Sequence, residues 1–445
     1  MFETIKKAFQ MKDIRIKLLF TFLFMILYRL GCYIPVPGIG EYLITDEQLD
    51  KVSYLGIMSM MTGGALMNGT WFAMGIGPYI NSSIIIQLLT VAIPYLERLS
   101  KEGESGRRKI NNYTRYVAVL LAIIQSIGIL LNYGSTSLAS GIENGIPILK
   151  MFANQKWLVY TMIVIFYTSG ALVTVWIGER ITDYGVSNGI SMLIFAGILG
   201  TAGTMLTDMI RTIFGNPVEQ GDDAMKALWR LIAYVVLIVL IFGLIVWVDG
   251  AERKIKVQYA KQVKGRKMMG GQSTEIPMKV NANGVMPLIF AFSLISFPEL
   301  IATMFWPTSR FVGWWQKWMG TDSWVYMIVL CVLIFAFAFF YSQMQFNPED
   351  VSKSIQQNGG FINGIRPGKA TCEHLKKINK RITLFGAIFL AFLALVPAII
   401  LKKVDPYHSS IFSATGLLIS VSCALEFNTA LESQIMMKTY KGFLK

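Results

Sequence analysis

The chain has 445 residues, 54% hydrophobic and 15% charged, with a formal net charge of +14. Length alone would fit about three soluble domains, but a mean hydropathy of +0.51 excludes that and indicates a polytopic helical membrane protein. The positive charge does not read as sequence-specific nucleic-acid binding, because 29 of the 41 Lys and Arg fall in the segments on one side of the apolar runs, the side that holds both termini.

Ten apolar runs of 18 or more residues each carry few or no charges, which is the length a bilayer-crossing helix needs. They are Leu18 to Val36, Trp71 to Tyr95, Tyr116 to Tyr133, Trp157 to Ile177, Gly185 to Thr207, Leu231 to Val248, Val280 to Pro298, Ser323 to Phe346, Ile382 to Leu401 and His408 to Leu425. The segment before the first run contains two acidic residues, and no small-residue cleavage pattern follows the run, so no removable signal peptide is expected. The positive-inside rule puts both termini and the long basic loops in the cytoplasm.

After the first run, Pro35-Val36-Pro37-Gly38 ends the helix. An uncharged stretch rich in Met, Gly and Ser follows, Val52 to Asn68, on the external side. It reads either as an interfacial or re-entrant segment packed on the bundle, or as a mobile stopper, since unbranched Met fills irregular space and repacks readily.

The second run is broken by Gly75, Gly77 and Pro78 and sets Asn81, Ser82, Ser83 and Gln87 at membrane depth. Irregular backbone and polar side chains are tolerated there where protein buries them or where they line a pathway. Its pattern Gly-x-x-Pro-x-Ile returns at Gly284 to Ile289, five runs later. An odd number of spans inverts the second copy, so the pattern fits two inverted five-helix halves, 1–207 and 208–445.

Such an architecture usually carries a coupled solute site, which needs ionisable groups at mid-depth. Here Arg29, Glu179, Asp249, Glu299 and Glu426 all sit near helix ends, with Arg29 placed to snorkel outward. Mid-depth positions hold isoleucine pairs instead, Ile76 with Ile80 and Ile190 with Ile194, each at i, i+4 on one helix face. By itself such a pair reads as packing or lipid contact. No His-Glu-x-x-His and no Gly-x-x-x-x-Gly-Lys-[Ser/Thr] occurs, and the four cysteines show no metal or disulfide spacing, so neither an enzyme nor a bound cofactor is expected.

Two long cytoplasmic loops remain. The first, about 249–279, places eight basic residues around Tyr259. The second, about 347–381, contains Gly364-Ile365-Arg366-Pro367-Gly368, whose glycines and proline fix a turn presenting Arg366. The charges alone would suit anionic lipid. The turn chemistry favours a protein partner.

Several long motifs in order, among them GIGPYINSSIIIQLL at 75–89, EGESGRRKINNYTRY at 102–116, QSTEIPMKVNANGVMP at 272–287 and FNPEDVSKSIQQNGGFINGIRPG at 346–368, closely resemble the SecY family of bacterial protein-conducting channels. The resemblance implies an all-α membrane protein whose ten transmembrane helices surround a central hourglass pore. It implies a waist of Ile76, Ile80, Ile190, Ile194, Ile289 and Ile419. It also implies a plug at about 54–67 including Tyr54, Met58, Met61, Gly63, Gly64 and Met67. The lateral gate would include Asn81, Gln87, Gln125, Ser293 and Ser296. Docking of the SecA motor or a ribosome falls on Arg253, Lys254, Tyr259, Lys264, Arg266, Lys267 and Arg366. The expected partners are small SecE and SecG subunits, signal peptides, nascent chains and lipids, in the bacterial cytoplasmic membrane. The other reading that the residues leave open is a secondary transporter of a small solute.

Overall fold

The computed structural model describes residues 2–37, 39, 58–59, 61–144, 156–215, 224–259, 262–264, 267–269, 273–281, 284–306, 309–320, 323–404 and 414–442. These divide into two compact units. The first is built from Met1–Arg230, Ser293–Tyr326 and Tyr407–Lys445, the second from Leu231–Phe292 and Met327–Pro406.

In the first unit, α1 (Phe2–Gln10) and α2 (Lys12–Gly31) pack against the last helix, α14 (Ala414–Gly442). Ala8, Ile14, Leu18, Val186 and Leu431 form their shared core, and Lys438 pairs with Asp13 across it. The second apolar run is helical only from Gly77: α3 spans Gly77–Ala92. Residues before it form turns, because Gly75 takes φ +48° and Pro78 starts the helix where its missing N–H is not needed. That lead-in is buried. Phe72 stacks on Tyr28 at 5.9 Å, and the Trp71 indole N–H donates to Ser169 Oγ at 3.1 Å. At Pro94 the chain turns by 101° into α4 (Pro94–Lys101), so the run is a short span followed by a helix at a steep angle.

Helices α5 (Glu104–Asn144), α6 (Lys156–Tyr184) and α7 (Gly189–Gly215) complete this unit's bundle with α3. Ala122, Ile129, Leu130, Val159, Ile163, Tyr167 and Ala171 fill the space between α5 and α6. The α6–α7 corner is tight. A Cβ on Gly189 would overlap the Gly178 carbonyl, Thr182 Oγ1 accepts from Gly189 N at 2.9 Å, and Asn188 Oδ1 caps Ile190 N at 3.1 Å. Arg115 on α5 and Glu179 on α6 pair at 2.7 Å.

The second unit holds α8 (Ala224–Asp249) from Leu231 onward, the start of α9 (Met286–Phe305), most of α11 (Trp324–Gln345), α12 (Pro348–Gln357) and α13 (Lys369–Val404). Its first long loop is ordered as antiparallel strands, a feature the all-α expectation does not include. β1 (Glu252–Tyr259) pairs with β4 (Ser273–Lys279) in the register Ile255 to Ile276, and with β5 (Gly360–Ile362) at Val257 to Ile362. β2 (Gln262–Lys264) and β3 (Lys267–Met269) form a small separate hairpin. The reason is visible in the alternation of Ile255 and Val257 inward with Lys254 and Lys256 outward, the period-two pattern of a half-buried strand. Ile255, Val257, Met278, Ile355, Ile362, Leu375 and Ile378 make one core from sheet, α12 and α13. The two loops are therefore one folded module.

Among the described residues, four helices are long and apolar enough to cross a membrane, or five if the bent α3–α4 pair is one span.

Candidate functional site

The described part of the Met-rich stretch is seated in the first unit, against the starts and turns of three helices. Met58 is buried, and a Cβ on Gly77 would lie 2.9 Å from its Cε. Thr62 presses on Gly75, its methyl where a Gly75 Cβ would stand. On α7, a Cβ on Gly197 would overlap the Met61 carbonyl oxygen. Leu66 and Met58 belong to the same core as Ile129 and Ile163. Gly63 and Gly64 take φ +68° and +84°, values that L side chains rarely adopt, so the tight turn needs glycine at both. Met61 and Met67 are half-buried; Tyr54 lies outside the described residues.

Arg29 takes part in this seat. Its guanidinium occupies the space that a Cβ on Gly63 and a Cβ on Gly200 would both need, its Nη2 donates to Tyr33 Oη at 3.3 Å, and its Cζ stands 5.5 Å from that ring. Nη1 is inaccessible and has no hydrogen-bond partner among the described residues. The Gly63 turn covers one end of the guanidinium, while the Nη2 contact with Tyr33 is exposed. Composition offered a signal for this residue, since an ionisable group in an apolar run is a site candidate by default. Gly197 and Gly200 carried only a weak one, two small residues three apart on one helix face.

Four of the isoleucines expected at the waist lie close in sequence to these contacts, on α3 and α7. Ile76 lies between Gly75 and Gly77 at the N-cap of α3, and Ile80 N donates to its carbonyl at 3.0 Å. Ile190 packs near Gly178, and Ile194 precedes Gly197 by less than a turn. Ile76, Ile194 and Ile419 are buried, while Ile80, Ile190 and Ile289 are half-buried. Ile289 is on α9 in the second unit.

Of the residues expected at a gate, Asn81 is buried near the start of α3, and Gln87 Nε2 donates to Ser83 Oγ at 3.2 Å. Gln125 on α5 is only 1% exposed, and neither end of its amide has a hydrogen-bond partner among the described residues. Ser296 on α9 is 2% exposed and its hydroxyl is likewise unpaired there. Ser293 is half-buried, and Ile301, further along α9, packs on the α5–α6 core. A buried unpaired amide costs about 1–3 kcal/mol. Gln125→Leu is therefore expected to stabilise the packed arrangement by roughly that amount, raising the midpoint of thermal unfolding in detergent.

In the second unit, Arg253 and Lys254 project from β1, with Lys254 Nζ 3.8 Å from Glu275, and Tyr259 packs on the module core. Lys264 and Lys267 lie on the β2–β3 hairpin, and Arg266 lies outside the described residues. Arg366 is exposed on a turn bounded by Gly364 (φ +80°) and Gly368 (φ +96°). Its carbonyl accepts from Thr371 Oγ1 at 2.9 Å, the Gly368 carbonyl accepts from Ser352 Oγ at 2.7 Å, and Ile365 N donates to Ile362 O at 3.0 Å. These bonds fix the backbone and leave the guanidinium at the rim of an open concavity lined by Phe361, Gly364, Ile365 and Pro367.

A sequence model of the SecY family matches residues 70–428. The protein translocase subunit SecY of Streptomyces coelicolor is 41% identical over 445 residues, covering 99% of each chain. A solved SecY structure, presented as showing that the plug domain stabilises the closed translocation channel and maintains a membrane seal, superposes with a TM-score of 0.65 at 18% identity, over 94% of this chain and 91% of that one. Sec61 in the canine ribosome–channel complex of the endoplasmic reticulum superposes with a TM-score of 0.58 at 17% identity, over 94% and 91%.

Proposed function

Since the chain belongs to the SecY family, we propose that it is a protein-conducting channel, a multi-pass protein of the bacterial membrane that passes unfolded polypeptides and releases apolar segments sideways into lipid. The observation that carries this reading is the seat of the segment at 58–67. The glycines it contacts flank or follow the isoleucines of α3 and α7, which supports reading it as a stopper beside an apolar constriction.

The chemistry suits an unfolded chain as cargo. Isoleucine side chains offer no hydrogen bond or charge to hold a passing segment, and a narrow apolar waist dewets and resists ions. Ile76, Ile80, Ile190, Ile194, Ile289 and Ile419 form that waist, within ten spans arranged as two inverted five-helix halves around an hourglass pore, with both termini cytoplasmic. Segments of about 20 apolar residues gain free energy by leaving into lipid, through a gate of Asn81, Gln87, Gln125, Ser293 and Ser296. Polar segments gain nothing there and continue across. The sheet module and Arg366 dock the cytoplasmic partner, a ribosome or the SecA motor, and SecE and SecG are the companion subunits. The solute-transporter reading draws no support from the sequence, whose carboxylates fall near the ends of the apolar runs.

Ile80→Asn tests the waist. Placing an amide in the constriction should wet it, raising the ion conductance of reconstituted vesicles and letting precursors with defective signals through. Unchanged conductance and unchanged selectivity would remove Ile80 from the waist.

A further inference from the structure

Between α9 and α11 lies a ten-residue helix, α10 (Arg310–Met319), capped by Ser309 Oγ, which accepts from Val312 N at 3.4 Å. Its sequence RFVGWWQKWM sorts by face. At 100° per residue, Trp314, Trp318 and Phe311 fall within an arc of about 60°, and all three are exposed, at 54%, 47% and 44%. The adjoining arc, Trp315, Met319 and Val312, is buried or half-buried against the protein. Arg310, Lys317 and Gln316 occupy the remaining side and are exposed. A helix with its inner edge already packed has no packing use for three further aromatic rings pointing outward.

The chain connectivity says what covers them. Trp324, 77% exposed, begins α11, one of the helices long and apolar enough to cross a bilayer, and so stands at a membrane surface. Only four residues separate α10 from α11, and four separate it from α9. Four residues reach at most about 14 Å, which holds α10 at the level of those helix ends. Exposed Trp306 at the end of α9 and Trp324 at the start of α11 extend the same aromatic band. Both charged groups of α10 are cations, which suits lipid phosphates.

We propose that α10 is an interfacial anchor that lies in the headgroup layer of the bilayer, with Phe311, Trp314 and Trp318 at the acyl boundary and Arg310 and Lys317 on the phosphates of anionic phospholipid. It fixes the depth of the outer end of α9, the helix that carries Ser293 and Ser296. The proposal rests on α11 crossing the membrane and not on what the chain transports.

The test uses the full chain in phosphatidylcholine–phosphatidylglycerol vesicles, with a fluorophore attached to a cysteine placed at Trp314 or Gln316 after the four native cysteines are changed to alanine. Phospholipid brominated just below the headgroup should quench the label at 314 at least about twofold more than at 316, and aqueous iodide should show the reverse order. Equal quenching at both positions, or iodide quenching at 314 without bromolipid quenching, would overturn the proposal by placing the aromatic face in water or against protein. A second measurement keeps the native cysteines: Trp314→Phe with Trp318→Phe should lower the bromolipid-quenched share of tryptophan emission. An unchanged share would count equally against it. Arg310→Gln with Lys317→Gln should abolish any increase in quenching at 314 as phosphatidylglycerol is added, and a persisting increase would remove the phosphate contacts.

Discussion

Gly197→Leu is expected to unseat the segment at 58–67 and leave the channel leaking when idle. The clash is with main chain, since a Cβ there overlaps the Met61 carbonyl oxygen, and a backbone oxygen cannot rotate aside as a side chain can. On α7 itself the substitution is favourable, because leucine exceeds glycine in helix propensity by about 1 kcal/mol. Loss of the seal would therefore not reflect a weakened helix. Gly203→Leu supplies the control on the same helix, as nothing lies within 4 Å of a Cβ there. In reconstituted vesicles without substrate, ion conductance should rise roughly tenfold or more for Gly197→Leu, as expected when an apolar seal loses its stopper, and stay at the parental level for Gly203→Leu. Precursors lacking a functional signal should also pass. Equal conductance in the two variants would show that the segment at 58–67 is not the seal.

Arg366→Glu is expected to stop motor-driven or ribosome-coupled translocation while leaving the channel folded. The turn is held by main-chain bonds to Thr371, Ser352 and Ile362, none of which uses the guanidinium, so reversal leaves the module core intact. An arginine at the centre of a docking surface contributes about 2–4 kcal/mol, and reversal should weaken partner binding roughly 30-fold or more. Arg366→Lys keeps the charge and loses the planar fork, so it should fall between. The checks are partner affinity and precursor transport in inverted vesicles, with idle ion conductance as the measure of channel integrity. A parental transport rate for Arg366→Glu would move the docking site elsewhere on the module.

The module of strands, α12 and α13 shows how partial the sequence signal was. Its basic residues and the Gly-Ile-Arg-Pro-Gly turn were legible, because turn chemistry acts over a few residues. The joining of both loops into one core was not. Val257 meets Ile362, more than a hundred residues away, and only three residues of β5 take part. The alternation through Ile255 and Val257 was a strand signal that the basic residues obscured. Within the second apolar run, hydropathy marked the membrane segment, yet the helix begins at Gly77, six residues after the run does. Apolarity measures partition into lipid and says little about where glycine and proline let the backbone become helical. Gln125 was expected at a gate by resemblance, but its lack of a partner among the described residues is a property of its neighbours.

What the sequence by itself determined is the solvent of the chain, together with an expectation of its sidedness. Run length and the placement of Lys and Arg set these, and both act segment by segment through transfer free energy and loop charge. The isoleucine pairs are likewise local, fixed by helical spacing. Tertiary structure alone decided what seats the segment at 58–67. Gly75, Gly77, Gly197 and Gly200 carry no side chain to announce a role, and their function is the space they leave for Thr62, Met58, the Met61 carbonyl and the Arg29 guanidinium. A missing side chain acquires meaning only from the atoms that fill its place, and folding brings those atoms from distant parts of the chain.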